Sequence, residues 1–93
     1  MQEISAGSFS WALQLIKDGR KLARKGWNGK DMFVFLVNGS RFTVNRPPLL
    51  GVYKEGTVID YHAHIDMKTV DGKIVPWLCS QTDMLAEDWM LVE

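Results

Sequence analysis

Between Phe9 and Ile16 the apolar residues recur at helical spacing. Phe9, Ala12, Leu13 and Ile16 fall at i, i+3, i+4 and i+7, which places them on one helix face. Trp11 and Leu15, one turn apart, widen that face. The pattern predicts a helix over residues 8–18. Ser8 or Ser10 can cap its start, and Gly19 suits the left-handed position just past its end. A helix this short is unstable alone, so it must lie on a sheet.

After Gly19 the spacing changes to that of strands. Residues 20–25 predict a short strand, and 32–37 (Met-Phe-Val-Phe-Leu-Val) a second one with apolar residues on both faces. Asn38-Gly39 reads as a hairpin turn into Arg41-Phe42-Thr43-Val44, so these three strands are expected to form a meander. Asn45 to Gly51 contains two consecutive prolines and is expected to be irregular, with Leu49, Leu50 and Tyr53 packing on something, a neighbouring subunit included. Lys54-Glu55-Gly56 turns the chain into Thr57-Val58-Ile59. Residues 61–69 alternate most cleanly: Tyr61, Ala63, Ile65, Met67 and Thr69 share one face, and His62, His64, Asp66 and Lys68 the other. Asp71-Gly72 then turns the chain into an antiparallel strand over 73–78, where Pro76 calls for an edge or a bulge. Ser80 to Asp83 is a helix-start signature, with Ser80 as cap and Asp83 as a short capping-box acid. Trp89 to Val92 ends the chain as a strand, apolar on both faces and so buried or between subunits. The expected fold is one α+β domain: a small antiparallel sheet of five to six short strands, an N-terminal helix and a short C-terminal helical turn. Residues 1–7 are expected to be a flexible leader.

Composition narrows the function classes. The chain has 93 residues and a formal net charge of +0, which speaks against a nucleic-acid binder with a large phosphate footprint. Its charge is uneven: Lys17, Arg20, Lys21, Arg24, Lys25 and Lys30 cluster early, and Asp83, Glu87, Asp88 and Glu93 come late. That basic cluster is either a solvated face or a local anion site. Four Trp, four Phe and two Tyr are a heavy aromatic load for one small core, so some are expected in a ligand pocket or subunit interface. The single cysteine, Cys79, excludes an internal disulfide framework and fits a reducing cytoplasm. Met1-Gln2-Glu3-Ile4 has neither the basic start nor the apolar stretch of a signal peptide. No apolar run approaches the ~20 residues a membrane span needs.

The most informative stretch is Arg24-Lys25-Gly26-Trp27-Asn28-Gly29-Lys30. Gly26 and Gly29 tolerate φ > 0 and Asn-Gly is a strong turn signal. An aromatic plate, an amide and several cations on one rigid turn suit a nucleotide-like ligand, through stacking, hydrogen bonding and charge neutralisation. Equally, Trp27 can fold back and plug the core beneath the turn. A second polar cluster, Gln81-Thr82-Asp83, stands at a helix start, where free N–H groups favour a polar or anionic ligand. Those three residues can also be spent on capping. His62, His64 and Asp66 lie on one strand face, but His62 and Asp66 are about 13 Å apart at roughly 3.3 Å per residue. One ion cannot take all three, and no metal site is expected. A Cys79–His64–Asp66 triad can be drawn, yet Cys79 follows Trp77-Leu78 in an apolar run and reads as a buried, inert thiol. There is no phosphate-binding loop and no Gly-rich dinucleotide fingerprint.

Taken together the segments resemble a known family. The distinctive blocks are Ala23-Arg24-x-Gly26-Trp27-Asn28-Gly29-Lys30-x-Met32-Phe33, Phe42-Thr43-Val44-Asn45-Arg46-Pro47-Pro48-Leu49-Leu50-Gly51, His64 to Thr69, Val75-Pro76-Trp77, and Ser80 to Trp89. From about Phe9 to Val92 the chain resembles the second family of Thoeris anti-defence proteins. The resemblance implies a protein of phages, prophages or bacteria that is not an enzyme and needs no cofactor. It implies a sponge in the host cytoplasm that binds glycocyclic ADP-ribose, and in some relatives cyclic oligonucleotides, without cleaving it. It implies a homotetramer with pockets between subunits, and no DNA, RNA or membrane partner. Trp27 and Asn28 are carried over as pocket residues, with Gln81, Thr82 and Asp83 beside them. On that reading Trp27 stacks on adenine, Arg24 or Lys30 meets the pyrophosphate, and Asn28 and Asp83 read ribose or base edges. A small structural subunit of a phage, needing aromatic surface only for self-association, is the rival, ahead of a nucleotide-processing enzyme.

Overall fold

The computed structural model describes residues 4–27 and 30–93. The fold is α+β; the described residues form one nine-residue helix, a four-residue helix and seven strands in two antiparallel sheets. In chain order the elements are α1 (Phe9–Lys17), β1 (Lys21–Arg24), β2 (Phe33–Val37), β3 (Ser40–Thr43), β4 (Val58–Tyr61), β5 (His64–Lys68), β6 (Ile74–Pro76), α2 (Gln81–Met84) and β7 (Trp89–Val92). None of the described helices is long and apolar enough to cross a membrane.

The helix forms where its apolar period requires. Ser8 Oγ accepts from the Trp11 N–H at 3.2 Å and closes the first turn. Gly19 has φ +90°, the left-handed conformation that stops the helix. Ala12 and Ile16 are fully buried on the face that meets Leu22 of β1 and Val34 of β2. This is the core of the larger sheet, whose order is β6-β5-β2-β1-β7. In β2, Val34 and Leu36 belong to the core under α1, so the alternation of the strand sends Phe33, Phe35 and Val37 to the opposite face. β6 is an edge strand, which accommodates the missing donor of Pro76.

Two expectations change. The first three strands do not form a meander. β2 pairs with β1 and β5, whereas β3 pairs with β4 alone, Phe42 facing Ile59. Asn38-Gly39 is therefore a crossing from one sheet to the other. Gly39 is required there for room: a Cβ would come within 2.6 Å of the Tyr61 carbonyl oxygen. The second change mirrors the first. The alternating run 61–69 breaks at His62-Ala63, because the chain crosses back: Tyr61 ends β4 in the small sheet and His64 begins β5 in the large one. Unbroken alternation in the sequence carries no mark of a change of sheet.

The tryptophans gather in the core. Trp89 is buried, with its ring 5.5 Å from Phe9, 5.4 Å from Trp27 and 5.9 Å from Trp77. Trp11 packs against the same core, so all four tryptophans are anchored in it. The near-perpendicular Trp27–Trp89 and Trp77–Trp89 contacts, at 79° and 81°, put ring edges against ring faces.

Candidate functional site

The residues singled out in the sequence meet around the β1–β2 connection and the segment that joins α2 to β7. Arg24 ends β1 opposite Trp89 of β7. Its guanidinium donates from Nη1 to Asp83 Oδ1 at 2.8 Å and from Nε to Asp88 Oδ1 at 2.8 Å. The Arg24 side chain is only 16% exposed. Its partners hold the cation: the Asp88 and then the Asp83 hydrogen bonds raise the Arg24 pKa further above its usual range. The carboxyls respond in the opposite sense. Burial opposes ionisation of Asp83, but bonds from Arg24, Trp27 and Ser80 outweigh it and leave the pKa below the usual carboxylate value. The Arg24 bond lowers that of Asp88 as well, against some desolvation.

Asp83 is the hub of this arrangement. Ser80 caps α2 as expected, its Oγ accepting from the Asp83 N–H at 3.0 Å. The Asp83 carboxylate has partners beyond the cap. Oδ1 accepts from Trp27 Nε1 at 3.1 Å as well as from Arg24, and the Asp83 carbonyl accepts from Trp89 Nε1 at 2.9 Å. Both indole N–H groups of the edge-to-face pair thus end on one residue. Among the described residues no buried side-chain polar atom lacks a partner.

Beside this network lies a cleft of about 590 Å³. Ala23, Met32 and Met90 supply its apolar lining, Trp27 its aromatic one, and Arg24, Lys25, Lys30 and Asp31 its charge. Because Arg24 is already neutralised, the positive character of the cleft comes from Lys25 and Lys30, which make no ion pair among the described residues. Asp31 has φ +64° and its carbonyl accepts from Lys68 Nζ at 2.8 Å, which ties the entry of β2 to β5. Trp27 therefore combines both readings made of it: it packs on Trp89 and also lines the cleft.

Of the residues read as a site, Arg24, Trp27 and Lys30 line one cleft. Asp83 stands behind it as a brace for two of them. Gln81 and Thr82 are exposed on the first turn of α2 and do not line the cleft. Asn28 lies outside the described residues. Lys25, Met32 and Met90 enter the cleft without having been singled out as site residues. For Lys25 the signal was there, in the basic run around Trp27; Met90 comes from the far end of the chain, and no local pattern could bring it in. A separate hollow of about 370 Å³, lined by Phe42 to Leu49, lies beside the small sheet and contains none of the singled-out residues.

The other constellations stay apart. His64 Nε2 is 3.4 Å from Asp66 Oδ1, but no group of three His, Cys, Asp or Glu among the described residues is placed to hold a metal ion. Cys79 is half-buried, not enclosed as its apolar run suggested, since Leu78 points outward at 90% exposure. Burial, and then the Asp83 charge, push the thiol pKa up, away from a reactive thiolate.

The Thoeris anti-defense 2-like domain family matches residues 7–92. The chain belongs to that family. A protein described as Thoeris anti-defense 2, from Bacillus phage SP01, is 42% identical over 85 residues, covering 91% of this chain and 93% of the relative. Membership spans α1 through β7 and supports an anti-defence role.

Proposed function

We propose that this protein acts in the cytoplasm of a phage-infected bacterium as a sponge for a cyclic ADP-ribose-type signal, binding it at the Trp27 cleft without cleaving it. Glycocyclic ADP-ribose, made by a TIR-domain immune enzyme, is the signal proposed, with cyclic di- and trinucleotides as further ligands. Removing the signal keeps the downstream effector off. The observation that carries the reading is the cleft itself: an indole clamped at its N–H, an apolar lining, and two lysines that make no ion pair among the described residues. The indole offers a stacking surface for adenine, and Lys25 and Lys30 meet the pyrophosphate. Arg24 lines the cleft too, but its charge is committed to Asp83 and Asp88. Asn28, outside the described residues, is proposed as a reader of ribose or base edges, and Gln81 and Thr82, exposed but outside the cleft lining, could join it only at a pocket shared with another subunit. Asp31 is the one carboxylate among the described lining residues, and no His or Cys accompanies it, which suits capture better than acid–base chemistry.

Assembly belongs to the same reading: a homotetramer whose neighbouring subunit completes the pocket. Support comes from apolar side chains standing in solvent, Val52 at 71%, Val58 at 55% and Leu85 at 76% exposure.

The test is recovery of the ligand. The protein is incubated with glycocyclic ADP-ribose, freed of unbound nucleotide and heated, and the supernatant is analysed by mass spectrometry. Intact nucleotide is the expected result. A processed product means an enzyme, and an empty supernatant means a structural subunit. Trp27→Leu, which keeps an apolar side chain against Trp89, is expected to weaken binding by about tenfold or more, given about 1–3 kcal/mol per base stacked on an aromatic ring.

A further inference from the structure

Asp88 touches the β1–β2 connection at three successive residues. Its Oδ1 accepts from Arg24 Nε at 2.8 Å, its backbone carbonyl accepts from the Lys25 N–H at 3.1 Å, and its Oδ2 accepts from the Gly26 N–H at 2.8 Å. The next residue is Trp27, whose own N–H donates to the Arg24 carbonyl at 3.2 Å and closes the turn. Space is as restricted as bonding: a Cβ on Gly26 would come within 2.8 Å of Asp88 Oδ2 and 3.3 Å of Arg24 Nη2. Gly26 is not held in the left-handed region, so it serves here by letting the carboxylate approach the backbone.

We infer that Asp88 is a positioning residue for ligand capture: it fixes the 24–26 backbone and so sets the pose in which Trp27 and Lys25 face the cleft. The inference rests on the binding reading above. Asp88 does not line the cleft. Its effect passes through the turn, and both carboxylate oxygens are used: Oδ1 accepts from Arg24 Nε, and Oδ2 from the Gly26 N–H and, at 3.5 Å, from Arg24 Nη2. An amide can present only one acceptor oxygen to Arg24 and Gly26; its NH₂ must meet the other donor head-on. The turn then samples several poses, and affinity falls by the fraction that is competent.

The experiment uses the full chain, glycocyclic ADP-ribose as probe, and the variants Asp88→Asn and Asp88→Glu. Calorimetry gives affinity, amide hydrogen exchange reads the Gly26 N–H, and urea unfolding reports global stability. The expected result is faster Gly26 exchange and about tenfold weaker binding in Asp88→Asn, under conditions where both proteins are fully folded. Asp88→Glu, with two acceptor oxygens restored, recovers much of both. Equal affinity in Asp88→Asn despite faster Gly26 exchange overturns the inference, because the clamp is then architectural only. So does an affinity loss that vanishes once the unfolded fraction is subtracted. Wild-type protein that takes up no probe sinks the binding reading itself, which this design separates from a failure of Asp88 alone.

Discussion

Arg24 illustrates what a single residue's type conveys and what its surroundings decide. A cation beside a tryptophan reads as a phosphate contact, yet its partners Asp83 and Asp88 lie 59 and 64 positions away and no local pattern announces them. Trp27 was legible as something more than a turn residue for a local reason: a large aromatic side chain stands between glycines. Its partner Asp83 was legible only as a helix-start acid. The Arg24 network makes stability depend on pH in a stated direction. Asp83 and Asp88 have pKa values lowered by folding, so their ionised forms stabilise the native state above the unfolded carboxylate value and cease to as pH falls through the folded one. Stability from this network is therefore fully present above about pH 4 and is lost in more acid solution. Urea unfolding followed by circular dichroism from pH 7 down to pH 2 is expected to show that decline. Arg24→Met should lower stability at neutral pH and flatten the acid limb, since the carboxyls no longer gain from ionising. An acid limb of unchanged steepness in the variant means that other carboxyls govern it.

At the scale of elements, what is local was readable and what is long-range was not. Both serine caps, the Gly19 stop, the Asp71-Gly72 turn and the edge position of Pro76 follow from chemistry within a few residues, and each is found. Strand pairing is settled by contacts between distant segments, and there the reading of Asn38-Gly39 gave way. Either a hairpin or a sheet crossing begins with the same dipeptide. The distinction has an energetic consequence at Gly39, whose missing Cβ leaves room for the Tyr61 carbonyl oxygen at 2.6 Å. Backbone cannot swing aside as a flexible side chain can. Gly39→Ala is therefore expected to destabilise by about 2 kcal/mol, within the usual range for overpacking. Denaturant midpoints at constant slope measure the shift, and one within about 0.5 kcal/mol, as at open exposed sites, would mean that the Tyr61 carbonyl does not crowd this position.

The whole molecule is less compact than its length allows. Its radius of gyration is 16.5 Å, against roughly 12 Å for a close-packed domain of this length. The excess fits a chain divided between two sheets, of which β3–β4 has only two strands. A two-stranded ribbon is marginal in water unless something covers it. Around this one, Val52, Tyr53, Val58 and Tyr61 are exposed, and Val44 is its one fully buried apolar neighbour among the described residues. The large sheet is similarly incomplete: α1 covers the Val34 face, while among the described residues no helix covers the Phe33–Phe35 face, and Lys21 and Lys68 lie over the Phe33 ring at 5.1 and 5.6 Å. Both surfaces gain by burial against further copies, and together they motivate the proposed tetramer more directly than aromatic content does, since the tryptophans are engaged in the core. Sedimentation equilibrium is expected to return a multiple of the 10.6 kDa chain mass. Val58→Glu, placing a charge on the small sheet, should shift that mass toward the single chain and weaken nucleotide binding with it, because a pocket completed by a neighbour is lost when the neighbour leaves. Wild-type protein sedimenting as a single chain yet binding with full affinity would show that the Trp27 cleft needs no second subunit.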